Sequence, residues 1–235
     1  MDNKSKVHKL YQSGFKKFGK SYQRLYPNEE FCRFMGRNFF KYNFNLRKKI
    51  KILEVGVGSG GNLSMVAAEG FQAYGLDFSK DSIKICKNIF REKKLKAKFE
   101  VGDMKSMPYK SDYFDCVFDV FSSCLMSKND GKIFLNEVSR VLKIKGKFFS
   151  YFPSKKSKLF KSKKKVLFDK DTIIKLYGKD CVFDTINTPL RFMHKKQYIS
   201  NLIKADLKAY YAEEITKTYF DGKDSFTFNV IEATN

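Results

Sequence analysis

Short apolar runs alternate with amphipathic stretches through the middle of the chain. The runs are of strand length and predict five buried strands, at 50–55, 71–76, 97–101, 114–120 and 148–152. Apolar positions at helical spacing predict helices between them, at 63–69, 80–93 and 128–142. Strands that alternate with helices in this way predict an α/β domain with a parallel sheet and right-handed crossovers.

The N-terminal region has the spacing of amphipathic helices. Five aromatic residues fall on one predicted helical face: Tyr11, Phe15, Phe18, Tyr22 and Tyr26. This face either packs on the domain or forms a movable cap over a ligand. After Pro27, Asn28 is a candidate N-cap for a helix from Glu29 to about Lys41. Four of its residues are predicted to be buried: Phe31, Phe34, Met35 and Phe39.

The C-terminal region differs in kind from the first half. A helix is predicted at Lys195–Lys204, and two extended segments follow at Leu207–Tyr219 and Ser225–Ala233. Because a tight turn joins these segments, they should form an antiparallel hairpin. Upstream, the lysine-rich run 155–165 is expected to be a solvated loop rather than part of the core, and 172–177 has helical spacing.

The stretch KILEVGVGSGGN, at 51–62, joins a predicted strand to a helix through several glycines. Glycine accepts a positive φ and allows a ligand to approach the backbone closely. Gly56, Gly58 and Gly61 fit a dinucleotide-binding pattern, whereas Glu54, Gly56, Gly58 and Gly60 fit an S-adenosylmethionine (SAM) pattern. The loop alone does not decide between the two cofactors.

The size and composition of the chain favour one domain in a reducing compartment. Its 235 residues are 43% hydrophobic, enough for one sizeable core. We expect a cytoplasmic protein with no signal peptide and no membrane span, because no apolar run approaches the roughly 20 residues that a span needs. Its five cysteines lack metal-ligand spacing, so we expect neither a metal site nor disulfides.

The chain is strongly basic. It has 47 lysines and arginines against 25 acidic residues, for a formal charge of +22. A field of this sign attracts anions, including nucleic acid and acidic small molecules. Lysine, phenylalanine, isoleucine and asparagine are abundant and tryptophan is absent, which AT-rich coding would produce without any functional cause.

Five segments in order resemble the class I SAM-dependent methyltransferases. They are ILEVGVGSGGN, YGLDFS, VGDMKSMPY, FDCVFDVFSS and EVSRVLKIKGKFF. The resemblance implies a seven-stranded, mostly parallel sheet with helices on both faces and a C-terminal antiparallel hairpin. It implies SAM rather than NAD as the cofactor. Since no Asp-Pro-Pro-Tyr motif follows the fourth strand, methylation of DNA amino groups is not expected.

The resemblance also implies a set of cofactor-binding residues. The glycines would approach the methionine part of SAM, Asp77 would bind the ribose hydroxyls, and Asp103 with Met104 would hold the adenine. The full set of candidates is Glu54, Gly56, Gly58, Gly60, Asn62, Asp77, Phe78, Asp103, Met104 and Asp119. Two residues are candidates for a catalytic base, His194 and Asp119, although a surface or structural role is the favoured interpretation of His194.

The segments outside the β-α rhythm are expected to bind the methyl acceptor. We divide the chain into a helical cap (1–45), a SAM-binding core (46–153), a basic insertion or lid (154–194) and a C-terminal helix and hairpin (195–235). Candidate acceptor-binding residues are Tyr11, Tyr22, Tyr26, Arg191 and His194. The basic insertion favours a small anionic acceptor, such as a phosphorylated, phosphoramidate-bearing or nucleotide-activated sugar of surface-glycan biosynthesis. RNA, protein and a non-enzymatic SAM-binding role remain alternatives, and the oligomeric state is not predicted.

Overall fold

The computed structural model describes residues 13–14, 24–162, 165–176 and 189–235. Its central sheet contains seven strands: β1 (Lys51–Val55), β2 (Gln72–Asp77), β3 (Lys98–Val101), β4 (Phe114–Val120), β5 (Leu142–Pro153), β9 (Lys208–Tyr219) and β10 (Asp224–Thr234). Their order is β3-β2-β1-β4-β5-β10-β9. The first five are parallel, and β10 is antiparallel to both β5 and β9. The predicted fold class, including the terminal hairpin, is confirmed.

The described helices pack around this sheet, and four of them begin at a capping side chain. The described helices are α1 (Glu29–Asn38), α2 (Phe44–Arg47), α3 (Gly61–Ala68), α4 (Lys80–Glu92), α5 (Lys128–Val141), α6 (Lys158–Lys161) and α7 (Lys195–Ile203). The predicted cap Asn28 accepts hydrogen bonds from the amides of Glu30 and Phe31. Ser79 accepts from the amide of Ser82 at the start of α4. These bonds satisfy amides that would otherwise lack a partner in the first turn.

Helix α1 buries its aromatic side against β4 and β5. The ring of Phe31 stacks on Phe118 with centroids 3.9 Å apart, and the rings of Phe34 and Phe149 are 5.0 Å apart. All four predicted core residues of this region are buried. Truncating a buried phenylalanine to alanine costs about 3–5 kcal/mol. The segment before the glycine turn is therefore an integral part of the core.

The region after β5 differs from its prediction. Residues 172–177 were expected to be helical, but Thr172–Leu176 forms a strand, β7, between β6 (Lys165–Asp169) and β8 (Leu190–Arg191). The helical prediction is wrong because the β-branched run at 172–174 pairs with partners on both sides and buries Ile173 completely. The sequence also predicts a short extended stretch at 181–184, and these residues lie outside the described ranges.

The lysine-rich run also packs more closely than expected. Helix α6 lies within it and buries Leu159. Lys155 forms an ion pair with the buried Asp171, and Ser157 Oγ donates to the backbone oxygen of Thr227 in β10. This segment is thus attached to the sheet at several points and is not simply a solvated loop.

Candidate functional site

The glycine-rich turn follows β1 and leads directly into α3. Gly56, Gly58 and Gly60 have φ angles of +69°, +52° and +77°. At Gly60, the N-cap of α3, a Cβ atom would lie 2.4 Å from Cys86 Sγ and 2.9 Å from the ring of Phe90. Positive φ and lack of space both exclude larger residues there. The amides of Gly56 and Gly60 donate to the backbone oxygens of Leu76 and Val57, so the turn is held by its own hydrogen bonds and carries no side chain at its glycines.

Buried polar groups tie this turn to the N-terminal segment. Asn62 Nδ2 donates to Glu54 Oε1 at 2.7 Å, and Asn62 Oδ1 accepts from the amide of Asn28 at 2.8 Å. The other oxygen of Glu54 accepts from the amide of Leu63 at 3.1 Å. Burial raises the pKa of Glu54 to about 8, against the two hydrogen bonds, which favour the ionised form. Glu54 and Asn62 therefore hold the glycine turn in place from the buried side.

Asp77 ends β2 beside the glycine turn. Its Oδ2 accepts from the amide of Gly58 and its Oδ1 from the amide of Ser79, both at 2.9 Å. A carboxylate has about four acceptor sites, so holding Gly58 does not prevent it from also accepting ribose hydroxyls. Phe78 follows it and is half-buried.

The residues after β3 reach the same turn. Asp103 Oδ1 accepts from the amide of Lys105 at 3.0 Å, which holds the loop that carries Met104. The Cε atom of Met104 lies 3.7 Å from the position of a Cβ on Gly56. The ends of three adjacent strands, β1, β2 and β3, therefore converge.

This arrangement fits SAM in its chemistry. The partial positive charge at the amino end of α3 suits the carboxylate of the methionine part, and the Asp77 carboxylate suits a ribose diol. Half-buried apolar side chains, Phe78 and Met104, flank Asp77 and suit the adenine ring. Within the described ranges, no cluster of His, Cys, Asp and Glu side chains forms a metal site.

Asp119, at the end of β4, is completely buried. Its Oδ1 accepts from the amides of Ser122 and Ser123 at 3.0 and 2.9 Å, and its Oδ2 accepts from Ser150 Oγ at 3.1 Å. The Ser123 hydroxyl also donates to the Asp119 carboxylate, and the Ser122 hydroxyl is in contact with it. These contacts support a structural role in the turn after β4, and its proposed service as a base stays a prediction.

Sequence reasoning did not single out Ser122. Its hydroxyl also donates to the backbone oxygen of Val55, and its Cβ lies 2.3 Å from where a Cβ on Gly56 would be. Ser122 thus holds the turn after β4 in contact with the glycine turn. The signal in the sequence is the pair of small hydroxyl residues three and four positions after Asp119.

The predicted acceptor-binding residues have different environments. Tyr11 and Tyr22 lie outside the described residues. Tyr26 is 79% exposed, although its backbone oxygen lies 3.0 Å from the position of a Cβ on Gly61 at the start of α3. His194 is exposed at the N-cap of α7, and its side chain makes no capping hydrogen bond.

Among the acceptor candidates that the structure describes, Arg191 is the one with a buried side chain, and it contacts the turn after β4. Its Nη2 donates to the backbone oxygen of Ser123 at 3.3 Å. Burial lowers the pKa of the Arg191 guanidinium. Because the usual pKa of arginine is very high, the group stays charged. Each of these roles in acceptor binding stays a prediction.

Comparison with known proteins identifies the core of this fold. Residues 52–146 match a protein family described as "Methyltransferase domain". Fatty-acid O-methyltransferase of Mycolicibacterium smegmatis is 38% identical over 100 residues, which cover 42% of this chain and 35% of that protein. Norajmaline N-methyltransferase of Rauvolfia serpentina is 32% identical over 103 residues, covering 43% of this chain and 35% of the relative. The chain therefore spans about a third of the length of these curated relatives.

Solved structures support the same assignment for the fold. A SAM-dependent methyltransferase from Methanosarcina mazei superimposes with a TM-score of 0.67 at 20% sequence identity, covering 79% of this chain and 92% of that structure. Among the described residues, no helix has both the length and the apolar character of a membrane span. Residues 52–146 thus match the methyltransferase domain family, and the chain shares its fold with a SAM-dependent methyltransferase.

Proposed function

We propose that this protein transfers a methyl group from SAM to a small anionic acceptor. The observation that carries the proposal is the convergence of the glycine turn, Asp77 and Met104 at the ends of three adjacent strands. Open α/β sheets bind their ligands at the carboxyl ends of strands. The family match over 52–146, which includes all three features, supports the same conclusion.

SAM supplies an electrophilic methyl group on a sulfonium, and the residues of the chain position it. The amino end of α3, reached through the glycine turn, binds the amino-acid end, and Asp77 orients the ribose. Glu54 and Asn62 hold the turn rigid from beneath. Transfer then requires an acceptor atom in line with the methyl group and shielded from water. Because this displacement depends mainly on alignment, a general base is optional.

The insertion after β5 supports an acceptor site at the same edge of the sheet. Six aromatic residues form a continuous series of ring contacts, here called the aromatic cluster: Phe121, Tyr151, Phe160, Phe192, Phe226 and Phe228. Phe160 and Phe192 belong to the insertion and the others to the β4, β5 and β10 region. The cluster thus anchors the insertion over the carboxyl ends of β4 and β5, where a lid would lie.

The charge of the insertion favours an anion as the acceptor. Lysine side chains of this segment contribute to the formal charge of +22 of the whole chain, and a field of this sign attracts anions. A phosphorylated or nucleotide-activated sugar of glycan biosynthesis, acted on in the cytoplasm, has the required charge. A carboxylic acid is the second candidate, favoured by the buried aromatic cluster beside the insertion and by the fatty-acid specificity in the name of one relative.

A methyl-transfer screen tests the proposal. Purified protein would be incubated with SAM labelled in its methyl group and with sugar phosphates, nucleotide sugars, carboxylic acids, RNA or peptides. Label should pass to a small anion, and the Asp77→Ala variant should abolish the transfer. Label on RNA or peptide would replace the proposed acceptor. SAM binding without transfer to any acceptor class would favour a non-enzymatic SAM-binding module.

A further inference from the structure

Arg191 is a buried cation whose guanidinium is incompletely paired. The residue is 4% exposed, and its Nε has no hydrogen-bond partner within the described part of the chain. Its hydrogen bond from Nη2 to the backbone oxygen of Ser123 is long at 3.3 Å. None of the ion pairs among the described residues includes Arg191. A charge removed from water in this way is costly unless an opposite charge compensates it.

The nearby acidic groups are engaged elsewhere. Asp171 forms an ion pair with Lys155. Asp119 is held by serine hydroxyls and amides on the other side of Ser123. Tyr198 stays neutral, because burial raises the pKa of its hydroxyl. These groups reduce the positive electrostatic potential at the guanidinium, but none of them forms a hydrogen bond or an ion pair with it.

A second positive feature adjoins the guanidinium. Its Nη2 lies 2.5 Å from the position that a Cβ on Gly131 would occupy, in the first turn of α5. The amino end of a helix carries partial positive charge, so a guanidinium there is unfavourable without an anion. Gly131 provides the space in which Arg191 fits. The acidic residue of the same turn, Asp130, is already paired with Lys105 at 2.9 Å.

That point lies beside the cofactor turn. Ser123, which binds Arg191, follows Ser122, whose Cβ is 2.3 Å from the position of a Cβ on Gly56. The guanidinium is therefore connected to the glycine turn through two consecutive residues. A group bound by Arg191 would belong to a molecule lying next to SAM.

We propose that Arg191 binds the carboxylate or phosphate group of the methyl acceptor. The Nε edge of a guanidinium, with one Nη, matches the two oxygens of such an anion. The proposal rests on the proposed function for the identity of the ligand as the acceptor. It further assigns to Gly131 the role of keeping the space for the guanidinium open.

Anion binding can be measured without turnover. Thermal unfolding of the full chain would be followed in acetate, inorganic phosphate or chloride at equal ionic strength, with SAM present. Wild type should unfold at a higher temperature in acetate or phosphate than in chloride, because ligands that bind the native state stabilise it. The arm with the larger shift distinguishes a carboxylate from a phosphate. Equal unfolding temperatures in all three salts would overturn the proposal.

Substitution separates ligand binding from a structural role. In Arg191→Met, the anion effect should vanish, while the unfolding temperature in chloride stays equal or rises and SAM affinity changes less than twofold. A lower unfolding temperature with the anion effect retained would mean that Arg191 is structural. Gly131→Ala, which fills the space of the guanidinium and keeps its charge, should also remove the anion effect; this variant gives the test if Arg191→Met does not fold.

Arg140→Met is the matched control. Arg140 is paired with Glu137 and donates to the backbone oxygens of Met107 and Tyr109, so its loss should destabilise the protein and leave the anion effect intact. Once an acceptor is found, Arg191→Lys should raise its KM at least tenfold with a smaller change in kcat. The anion effect and methyl transfer are independent readouts, so failure of one proposal is distinguishable from failure of the other.

Discussion

The backbone amide of Gly58 donates a hydrogen bond of 2.9 Å to Oδ2 of Asp77. The last residue of β2 therefore holds the middle of the glycine turn that follows β1. These strands are neighbours and parallel, so their ends are adjacent without any distortion of the sheet. One carboxylate thus holds the turn in its shape, and the same carboxylate is the predicted ligand of the ribose.

Replacing Asp77 with alanine should weaken SAM binding about tenfold or more. A charge-assisted hydrogen bond contributes roughly 1.5–3 kcal/mol, and 1.4 kcal/mol corresponds to a factor of ten. Titration calorimetry measures the affinity, with circular dichroism to verify folding. Asp81→Ala removes an exposed carboxylate of α4 and should bind SAM like wild type. Wild-type affinity in a folded Asp77→Ala protein would refute the ribose assignment.

Gly58→Val should abolish SAM binding with little loss of fold. A β-branched residue at a φ of +52° strains the turn, and its side chain would lie in the surface that meets the cofactor. Gly222→Val is the control, because Gly222 has a φ of +77° in the β9–β10 turn with no atom within 4 Å of a Cβ position. Both variants bear similar backbone strain, so a loss of affinity confined to Gly58→Val separates cofactor binding from strain. Equal loss in both would show that strain alone is responsible.

Glu54 should make the free energy of unfolding depend on pH. Burial raises its pKa in the folded protein to about 8, whereas the unfolded value is near 4.5, so the native state binds the extra proton between these values. The stabilisation by this group is complete below pH 4.5 and is lost as pH rises toward 8. Relative to Glu54→Gln, wild-type stability should fall by at most about 1.4 kcal/mol per pH unit in that range.

Urea unfolding of both proteins between pH 5 and 8 provides the measurement. Comparison of slopes, rather than of absolute stabilities, cancels the cost of the lost hydrogen bond in Glu54→Gln. A difference between the two proteins that does not change with pH, or that grows in favour of wild type as pH rises, would show that Glu54 is ionised when folded.

Neutralising four lysines of the insertion should weaken capture of an anionic acceptor. The variant carries glutamine at Lys161, Lys163, Lys164 and Lys165, and it should raise KM and reduce its dependence on salt while SAM affinity stays near wild type. The control carries glutamine at four exposed lysines on or near α4: Lys84, Lys87, Lys93 and Lys96. Because both variants lose equal charge, a KM effect of the same size in each would indicate the general field rather than the insertion.

His194→Ala distinguishes a catalytic from a structural histidine. If the imidazole removes a proton from the acceptor, kcat should fall by about a hundredfold or more, because general bases contribute factors of this size. The exposed position and the absence of a capping bond predict little change in folding stability. His194→Gln is the companion variant. An unchanged kcat in both would leave methyl transfer to alignment alone.

Much of the core was readable from sequence because its signals are local. Strand β4 was predicted with its observed bounds, and the caps Asn28 and Ser79 follow from side-chain chemistry within three residues. Strand β7 was missed because its partners, β6 and β8, are set by tertiary pairing rather than by periodicity. The contact between Arg191 and Ser123 spans 68 positions, so its burial had no local signal.

The two ends of the insertion return to the same place. Ser154, just after β5, forms an isolated parallel bridge with Met193, just before α7. Residues 155–192 therefore leave and rejoin the domain at one point, and the seven paired strands of the central sheet lie outside them. Because Ser157 contacts β10 and Arg191 contacts the turn after β4, an exchange of this segment between proteins of the same fold would have to include its contact residues on the domain. If the insertion selects the acceptor as proposed, a graft intended to change that selection must carry both sides of this contact.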